Sequence, residues 1–353
     1  MRVPLTLWLK EVCLFTFIVR RLLLLPLIFL GVTLFIVLLM QLLSPAERAA
    51  GFVSSDAQLR NLPLIIEQFG LDKPWYVQYW NWLSQALQGN LGFSRVTNQP
   101  VWTTIQTRLP NTIELAVLTI IPTIGIGIWL GTVAALNRDK AADQLSRISS
   151  IIFWSLPTFV LGIWLLIIFY GGFGLFGIGQ ISANFAREVV NPEFQRYTGF
   201  LTLDSLLNGR FDIFWDVILH LILPVTTLVA VISAQIVRVM RSSLLDTLSQ
   251  DYVRTARAKG LSERDVNLKH ARRNALIPIL TLSGFTLVGL LNGAVIVETI
   301  FALPGIGKWL ADAAVQLDYG AVLGGAVFVG FLVVLGNLIV DILYAVVDPR
   351  IRY

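Results

Sequence analysis

Long runs of residues without a charged side chain constrain this sequence more than any other feature. The first run, Leu22–Leu43, holds 22 uncharged residues, and a helix needs about 20 apolar residues to cross the hydrocarbon layer of a bilayer. A secretory signal peptide would need a shorter apolar core and a small-residue cleavage site, whereas this run ends in QLLSP. The pattern predicts a retained transmembrane helix over residues 20–43.

Five further runs approach the same length and predict five further spans. They are Leu115–Leu136, Ile148–Tyr170, Val217–Val237, Asn274–Val297, and Tyr319–Val340, the last continuing to Val347. Hydrophobic residues make up 56% of the 353 residues and charged residues 14%, against roughly 25% charged residues in a soluble domain. The sequence therefore predicts an all-α polytopic integral membrane protein with about six transmembrane helices.

The distribution of Lys and Arg predicts how these spans are oriented. With the N-terminus on the cytoplasmic side, the cytoplasmic segments hold 18 of the 27 basic residues and the outer segments hold 9. Basic residues are enriched on the cytoplasmic side of membrane proteins. Both termini are thus expected in the cytoplasm, and residues 1–19, which include Lys10 and Glu11, are expected to form an interfacial segment.

A strongly basic segment, Asp251–Leu280, lies between the fourth and fifth predicted spans. Its charge density excludes a position in lipid, and its aliphatic residues disfavour disorder. Gly260 is suited to end a helix because Gly tolerates the left-handed conformation, and Ser262 is suited to cap the next helix. Ala256 and Gly260, four residues apart, are expected to offer a small face to a groove. We therefore predict a short helical hairpin in water; a basic loop that only touches lipid headgroups is the alternative.

This segment, DYVRTARAKGLSE followed by HARRNALIP, resembles the conserved cytoplasmic loop of ABC importer permeases, in the form found in B-type subunits of dipeptide and oligopeptide permeases. Ala256 and Gly260 match the general motif, whereas Arg254 and Thr255 replace its Glu and first Ala. The resemblance implies a coupling helix that fits a groove on a cytoplasmic ATPase. The implied coupling residues are Arg254, Thr255, Ala256, Arg257, Ala258, Lys259, Gly260, Leu261, Ser262 and Glu263.

The resemblance extends to other parts of the chain. Residues 44–110 are expected to form an extracytoplasmic insert, in which LDKPWYVQYWNWL predicts a helix after Pro74 and LQGNLGFS predicts a turn at Gly89 and Gly92. This stretch, ETIFALPGIGKWLADAA and the ending NLIVDILYAVVDPRIRY are similar to the same permeases. The aromatic side chains of the insert favour a scaffold, with docking of an external binding protein as the alternative.

A few polar residues in the spans are candidates for the translocation pathway, namely Glu114, His220 and Asn292. Buried polar residues in membranes mark transport paths, but a hydrogen bond to a neighbouring helix explains them as well. The pairs Gly127 with Gly131 and Gly289 with Gly293 have the spacing of close helix crossings.

Several classes of function are disfavoured by the sequence. No Gly-x-Ser-x-Gly, HExxH or paired-carboxylate motif is present, which predicts that the chain is not an enzyme. Two histidines and one cysteine cannot build a convincing structural metal site. The net charge of +5 is placed by membrane topology, so a nucleic acid is not an expected partner.

The resemblance implies a MetI-like permease subunit that moves peptides or related solutes across the cytoplasmic membrane. It implies a second permease chain, two cytoplasmic ATPases and an extracytoplasmic solute-binding protein, with ATP and Mg bound by the ATPases and no cofactor on this chain. The permease core is expected over residues 111–347, with the coupling loop at 238–273 and a cytoplasmic tail at 348–353. A secondary transporter or channel independent of ATP is the main alternative, and a structural scaffold is a third.

We expect replacement of Gly260 by a bulky charged residue to abolish uptake and to leave membrane insertion intact, because the apolar spans determine insertion. Solute uptake and the amount of inserted chain are measured on the same membranes. Full transport by such a variant would contradict a docking role for the hairpin.

Overall fold

The computed structural model describes residues 26–50, 62–291 and 294–347. The predicted interfacial segment 1–19, the start of the first span and the tail 348–353 lie outside the described residues. The predicted all-α class is confirmed, with one short antiparallel pairing of strands added. The described chain divides into two compact units: the first holds residues up to Pro110 and Pro304–Leu338, and the second holds Asn111–Leu303 and residues 339–347.

The elements are, in chain order, α1 (Pro26–Met40), α2 (Pro45–Ala50), α3 (Leu62–Phe69), α4 (Trp75–Leu87), β1 (Phe93–Ser94), β2 (Gln99–Pro100), α5 (Val101–Leu136), α6 (Ala141–Ser155), α7 (Thr158–Gly172), α8 (Ala183–Val190), α9 (Leu201–Leu207), α10 (Phe211–Leu248), α11 (Asp251–Ala258), α12 (Glu263–Ala275), α13 (Ile277–Leu291), α14 (Val295–Ile300), α15 (Ile306–Val315) and α16 (Tyr319–Val347). The last seven residues of α7 and residues 266–271 of α12 are π-helical.

Three helices of the described chain are long and apolar enough to cross a membrane: α5, α10 and the Tyr319–Leu338 part of α16. Two bent helix pairs, α6 with α7 and α12 with α13, raise this number to five if each pair is one span, and α1 is a shorter apolar helix. The predicted last span agrees with α16 at both ends. Helix α5 begins 14 residues before the predicted start at Leu115, because its first turns carry polar residues that the hydropathy criterion excludes.

Two predicted spans are not single straight helices. The run predicted over Ile148–Tyr170 breaks between α6 and α7 with a bend of 98°. Leu156 is extended there, with φ −79° and ψ 124°, because the ring of Pro157 disfavours helical geometry at the residue before it. The run predicted over Asn274–Val297 bends by 47° between α12 and α13, where Pro278 has no N–H to continue the hydrogen-bond ladder.

The first unit is organised around the buried carboxylate of Asp318. Its Oδ2 accepts hydrogen bonds from Ser94 Oγ (2.9 Å) and the Val96 N–H (3.1 Å), and its Oδ1 accepts from the Ala321 N–H (3.2 Å). The fully buried Trp309 donates from Nε1 to Ser94 Oγ (3.0 Å). One carboxylate thus joins the β1–β2 pairing to the start of α16.

The predicted helix and turn of the insert are confirmed in the first unit. Helix α4 begins directly after Pro74, which has a non-helical ψ of 145° and precedes the first helical residue, Trp75. Gly89 and Gly92 adopt φ of +86° and +99°, a region that L side chains rarely occupy.

The second unit contains a close helix crossing at one of the two predicted glycine pairs. A Cβ on Gly127 would overlap the side chain of Ile236, and a Cβ on Gly131 would overlap Met240 and lie 2.8 Å from the carbonyl oxygen of Val237. A Cβ on Gly289 would meet no other part of the described chain within 4 Å, and Gly293 lies outside the described residues. The close crossing of α5 and α10 therefore requires residues without a side chain at positions 127 and 131.

We expect Gly131→Ala to destabilise the folded protein by about 1–3 kcal/mol, since the added methyl group has no room against the α10 backbone. The midpoint of thermal unfolding in detergent is measured. Gly289→Ala is the matched control, and an equal loss of stability in the two variants would contradict close packing at Gly131.

Candidate functional site

The predicted hairpin is present as two helices joined by a tight turn. Helix α11 ends at Ala258, and Gly260 follows with φ +77°, the left-handed conformation that commonly follows a helix end. The described residues on both sides of this turn are exposed, and Leu261 is 41% exposed. The prediction of a helical hairpin with Gly260 at its turn is confirmed.

Polar side chains hold the turn in one geometry. Ser262 Oγ accepts a hydrogen bond from the Asp265 N–H (3.2 Å) and donates one to Asp265 Oδ2 (2.7 Å), which confirms Ser262 as the cap of α12. Arg257 reaches across the turn and donates from Nε and Nη2 to the two oxygens of Glu263 (2.8 and 3.3 Å). The bidentate geometry sets the orientation of the two side chains as well as their distance, but at this exposed position the pair adds little stability. The Ser262 cap is therefore the main polar contact that shapes the start of α12.

The base of the hairpin is an apolar cluster shared with α10. Val253 of α11 and Val266 of α12 have no exposed surface, and they pack in one cluster with the fully buried Met240 and Leu244 of α10. Interiors packed in this way resist deformation. The hairpin base and the C-terminal half of α10 are therefore packed as one unit.

The prediction that Ala256 and Gly260 together offer a small face to a groove is wrong for Ala256, which is buried. The Ala256 side chain belongs to the apolar base and the residue is 6% exposed, because three residues from Val253 to Ala256 return the chain to the same face of α11. The other implied coupling residues are exposed: Arg254, Thr255, Arg257, Ala258, Lys259, Gly260, Leu261, Ser262 and Glu263. Their role in coupling stays a prediction.

Glu114 is buried and acts as a hydrogen-bond acceptor between segments of the second unit. Its Oε1 accepts from the N–H (2.8 Å) and the Oγ1 (2.5 Å) of Thr202 at the start of α9, and its Oε2 accepts from Gln180 Nε2 (3.3 Å). The residue is 3% exposed. This geometry agrees with the hydrogen-bonding interpretation, and a pathway role stays a prediction.

His220 is also buried, at 7% exposure, and its Nδ1 lies 2.7 Å from the Asp216 carbonyl oxygen. The imidazole ring lies so close to Gly177 that a Cβ at that position would overlap it. Asp216 in turn accepts hydrogen bonds from the N–H and the hydroxyl of Ser182. The third pathway candidate, Asn292, lies outside the described residues.

Two buried polar contacts of the second unit were missed by sequence reasoning. Asp143 accepts from Arg241, and Glu298 accepts from Thr112 Oγ1 at 2.9 Å. These partners are 98 and 186 residues apart, so no local spacing indicates them. In the part of the chain that the structure describes, no three His, Cys, Asp or Glu side chains are grouped as metal ligands.

We expect Ser262→Ala to weaken the start of α12 by about 1 kcal/mol, because the cap that satisfies the Asp265 N–H is lost. Amide hydrogen exchange of residues 263–268 is measured. Ser249→Ala is the control, since Ser249 Oγ bonds only the Asp246 carbonyl oxygen among the described contacts. Unchanged exchange in Ser262→Ala would contradict the capping role.

Comparison with known proteins identifies a family that matches most of this chain. The family described as "Binding-protein-dependent transport system inner membrane component" matches residues 127–353, and its N-terminal companion domain matches residues 14–116.

Three relatives match most of this chain. A di/tripeptide transport system permease protein of Pseudomonas aeruginosa (strain UCBPP-PA14) is 41% identical over 96% of this chain and 99% of the relative. A probable D,D-dipeptide transport system permease protein of Escherichia coli (strain K12) is 42% identical over 87% of this chain and 88% of the relative. A dipeptide transport system permease protein of Escherichia coli (strain K12) is 37% identical over 96% and 98%.

A structural neighbour was also found. The solved structure titled as inward facing conformations of the MetNI methionine ABC transporter is 16% identical, with a TM-score of 0.49, and the match covers 70% of this chain and 97% of that chain.

Proposed function

Because the chain belongs to the family of binding-protein-dependent transport system inner membrane components, we propose that it is the transmembrane permease subunit of an ATP-driven ABC importer for peptides. The observation that carries this proposal is similarity over almost the whole chain to permeases of dipeptide and di/tripeptide transport systems. The match includes both the hairpin and the insert, so it is not confined to one motif.

The hairpin is the proposed point at which ATP hydrolysis drives this subunit. Its turn is exposed and capped by Ser262, and its base is packed on α10. A partner that grips the turn therefore moves α10 as a rigid body. Rigid-body switching of this kind interconverts the inward-open and outward-open states of a transporter.

The partners and cofactors follow from this role. The subunit pairs with a second permease chain and receives solute from an extracytoplasmic binding protein. Two cytoplasmic ATPases bind ATP and Mg, and this chain catalyses no covalent step. The family and the long apolar helices indicate a multi-pass protein of the inner membrane, and we propose that both termini are cytoplasmic, on the side of the basic hairpin.

The alternative of an ion-driven transporter would use buried ionisable groups in the spans to bind the coupling ion. Glu114, the strongest candidate, already accepts three hydrogen bonds from Thr202 and Gln180. This satisfied carboxylate favours an anchoring role. Uptake by the purified chain alone, driven by an ion gradient, would support the alternative.

Crosslinking from the hairpin turn tests the proposed function. In a background where the single cysteine is replaced (Cys13→Ser), we expect Ala258→Cys and Ser262→Cys to crosslink to an ATPase in membranes that import peptide in the presence of ATP. Both positions are exposed, and Arg196→Cys, exposed on another segment of the second unit, is the matched control without a crosslink. Actively importing assemblies in which neither hairpin cysteine captures an ATPase would contradict the proposal.

A further inference from the structure

A buried ion pair joins α6 to α10 in the second unit. Arg241 Nε donates to Asp143 Oδ1 (2.5 Å) and Arg241 Nη2 donates to Asp143 Oδ2 (2.7 Å). The Asp143 side chain has no exposed surface and that of Arg241 is 21% exposed. The Asp139 N–H donates a third hydrogen bond to Asp143 Oδ2 (3.0 Å). The carboxylate is thus held from two sides and excluded from water.

This pair differs from the other ion pairs that the structure shows near the hairpin. The Arg254–Asp251 and Arg257–Glu263 pairs lie at the surface, with carboxylate side chains 95% and 66% exposed, where screening by water and salt makes ion pairs weak. A buried carboxylate that loses its partner remains as an uncompensated charge, so breaking the Asp143–Arg241 pair is more costly than breaking either surface pair.

Arg241 lies on α10 at the level of the hairpin base. Met240, the residue before it, and Leu244, three residues later, are fully buried in the apolar cluster with Val253 and Val266. The α10 helix therefore carries the hairpin on one face and the ion pair on another, within a single helical turn. A displacement of the hairpin reaches Arg241 without passing through a loop.

The C-terminal end of α6 is followed by a sharp bend. It stops at Ser155 and turns by 98° into α7 at the Leu156–Pro157 junction. Between the ion pair and this bend, an open groove of about 250 Å³ lies where α6 meets α5 and α10. Its wall includes four hydroxyl side chains, those of Ser149, Ser150, Thr226 and Ser233. The first turn of α6 is therefore bonded to α10, while its second half borders this open groove.

We propose that Asp143 and Arg241 are positioning residues that transmit movement of the hairpin from α10 to α6, and through the bend at Pro157 to α7. The inference rests on the proposed function, in which an ATPase drives the hairpin. The pair touches no solute in this scheme. It converts displacement of α10 into displacement of the α6–α7 pair.

The ratio of peptide imported to ATP hydrolysed tests this role, measured in proteoliposomes that contain the complete transporter. We expect Asp143→Asn to leave ATP hydrolysis in place and to lower the ratio at least about fivefold, the low end of typical coupling between sites. The double exchange Asp143→Arg with Arg241→Asp restores part of the ratio. Glu188→Gln, which removes one acid from the exposed pair with Arg210, is the control and keeps the wild-type ratio.

A purely structural role gives a different result. The pair's proposed role is overturned if Asp143→Asn lowers only the amount of assembled transporter and each remaining complex keeps the wild-type ratio. Where Asp143→Asn does not assemble, Asp143→Glu keeps the charge and displaces the carboxylate; a lowered ratio supports the role and a wild-type ratio overturns it. If the wild-type transporter shows no ATP-dependent uptake of peptide, the proposed function is overturned, and this inference with it.

Discussion

The packing of the hairpin base on α10 is the interaction on which the rest of the second unit depends. Val253 and Val266 lose all their exposed surface there against Met240 and Leu244, and burial of side chains of this size is worth about 1.5–3 kcal/mol each. This apolar contact makes a basic, water-exposed element a rigid extension of a membrane-type helix. Without it, the exposed turn would move independently of the spans.

The distribution of polar contacts fits a molecule that moves in parts. Glu114 ties α5 to α9, and Asp143 ties α6 to α10, so each buried carboxylate joins segments that are distant in sequence. The helices also bend at Pro157, after the α6 helix that carries Asp143, and near Pro278. Fixed joints separated by interrupted helices allow rigid pieces to rotate relative to one another.

The sequence predicted local features well and distant ones poorly. Helix α16, the Gly260 turn and the Ser262 cap follow from residues within one or two turns. The break at Pro157 is also a local signal, and the length criterion for a span overlooked it. The Asp143–Arg241 pair depends on segments brought together by the fold, so neither composition nor spacing could indicate it. The spacing of Ala256 to Val253 places both on one face of α11, but only the fold shows that this face packs on α10.

The Asp318 cluster has a consequence for biogenesis. The hydroxyl of Ser94 is hydrogen-bonded to Asp318 and Trp309, which lie 224 and 215 residues later in the chain. During synthesis the β1–β2 segment emerges long before these partners exist, and its polar groups remain hydrated until the last span follows. The Ser94 contacts of the first unit therefore form only after residues 309–318 have been synthesised.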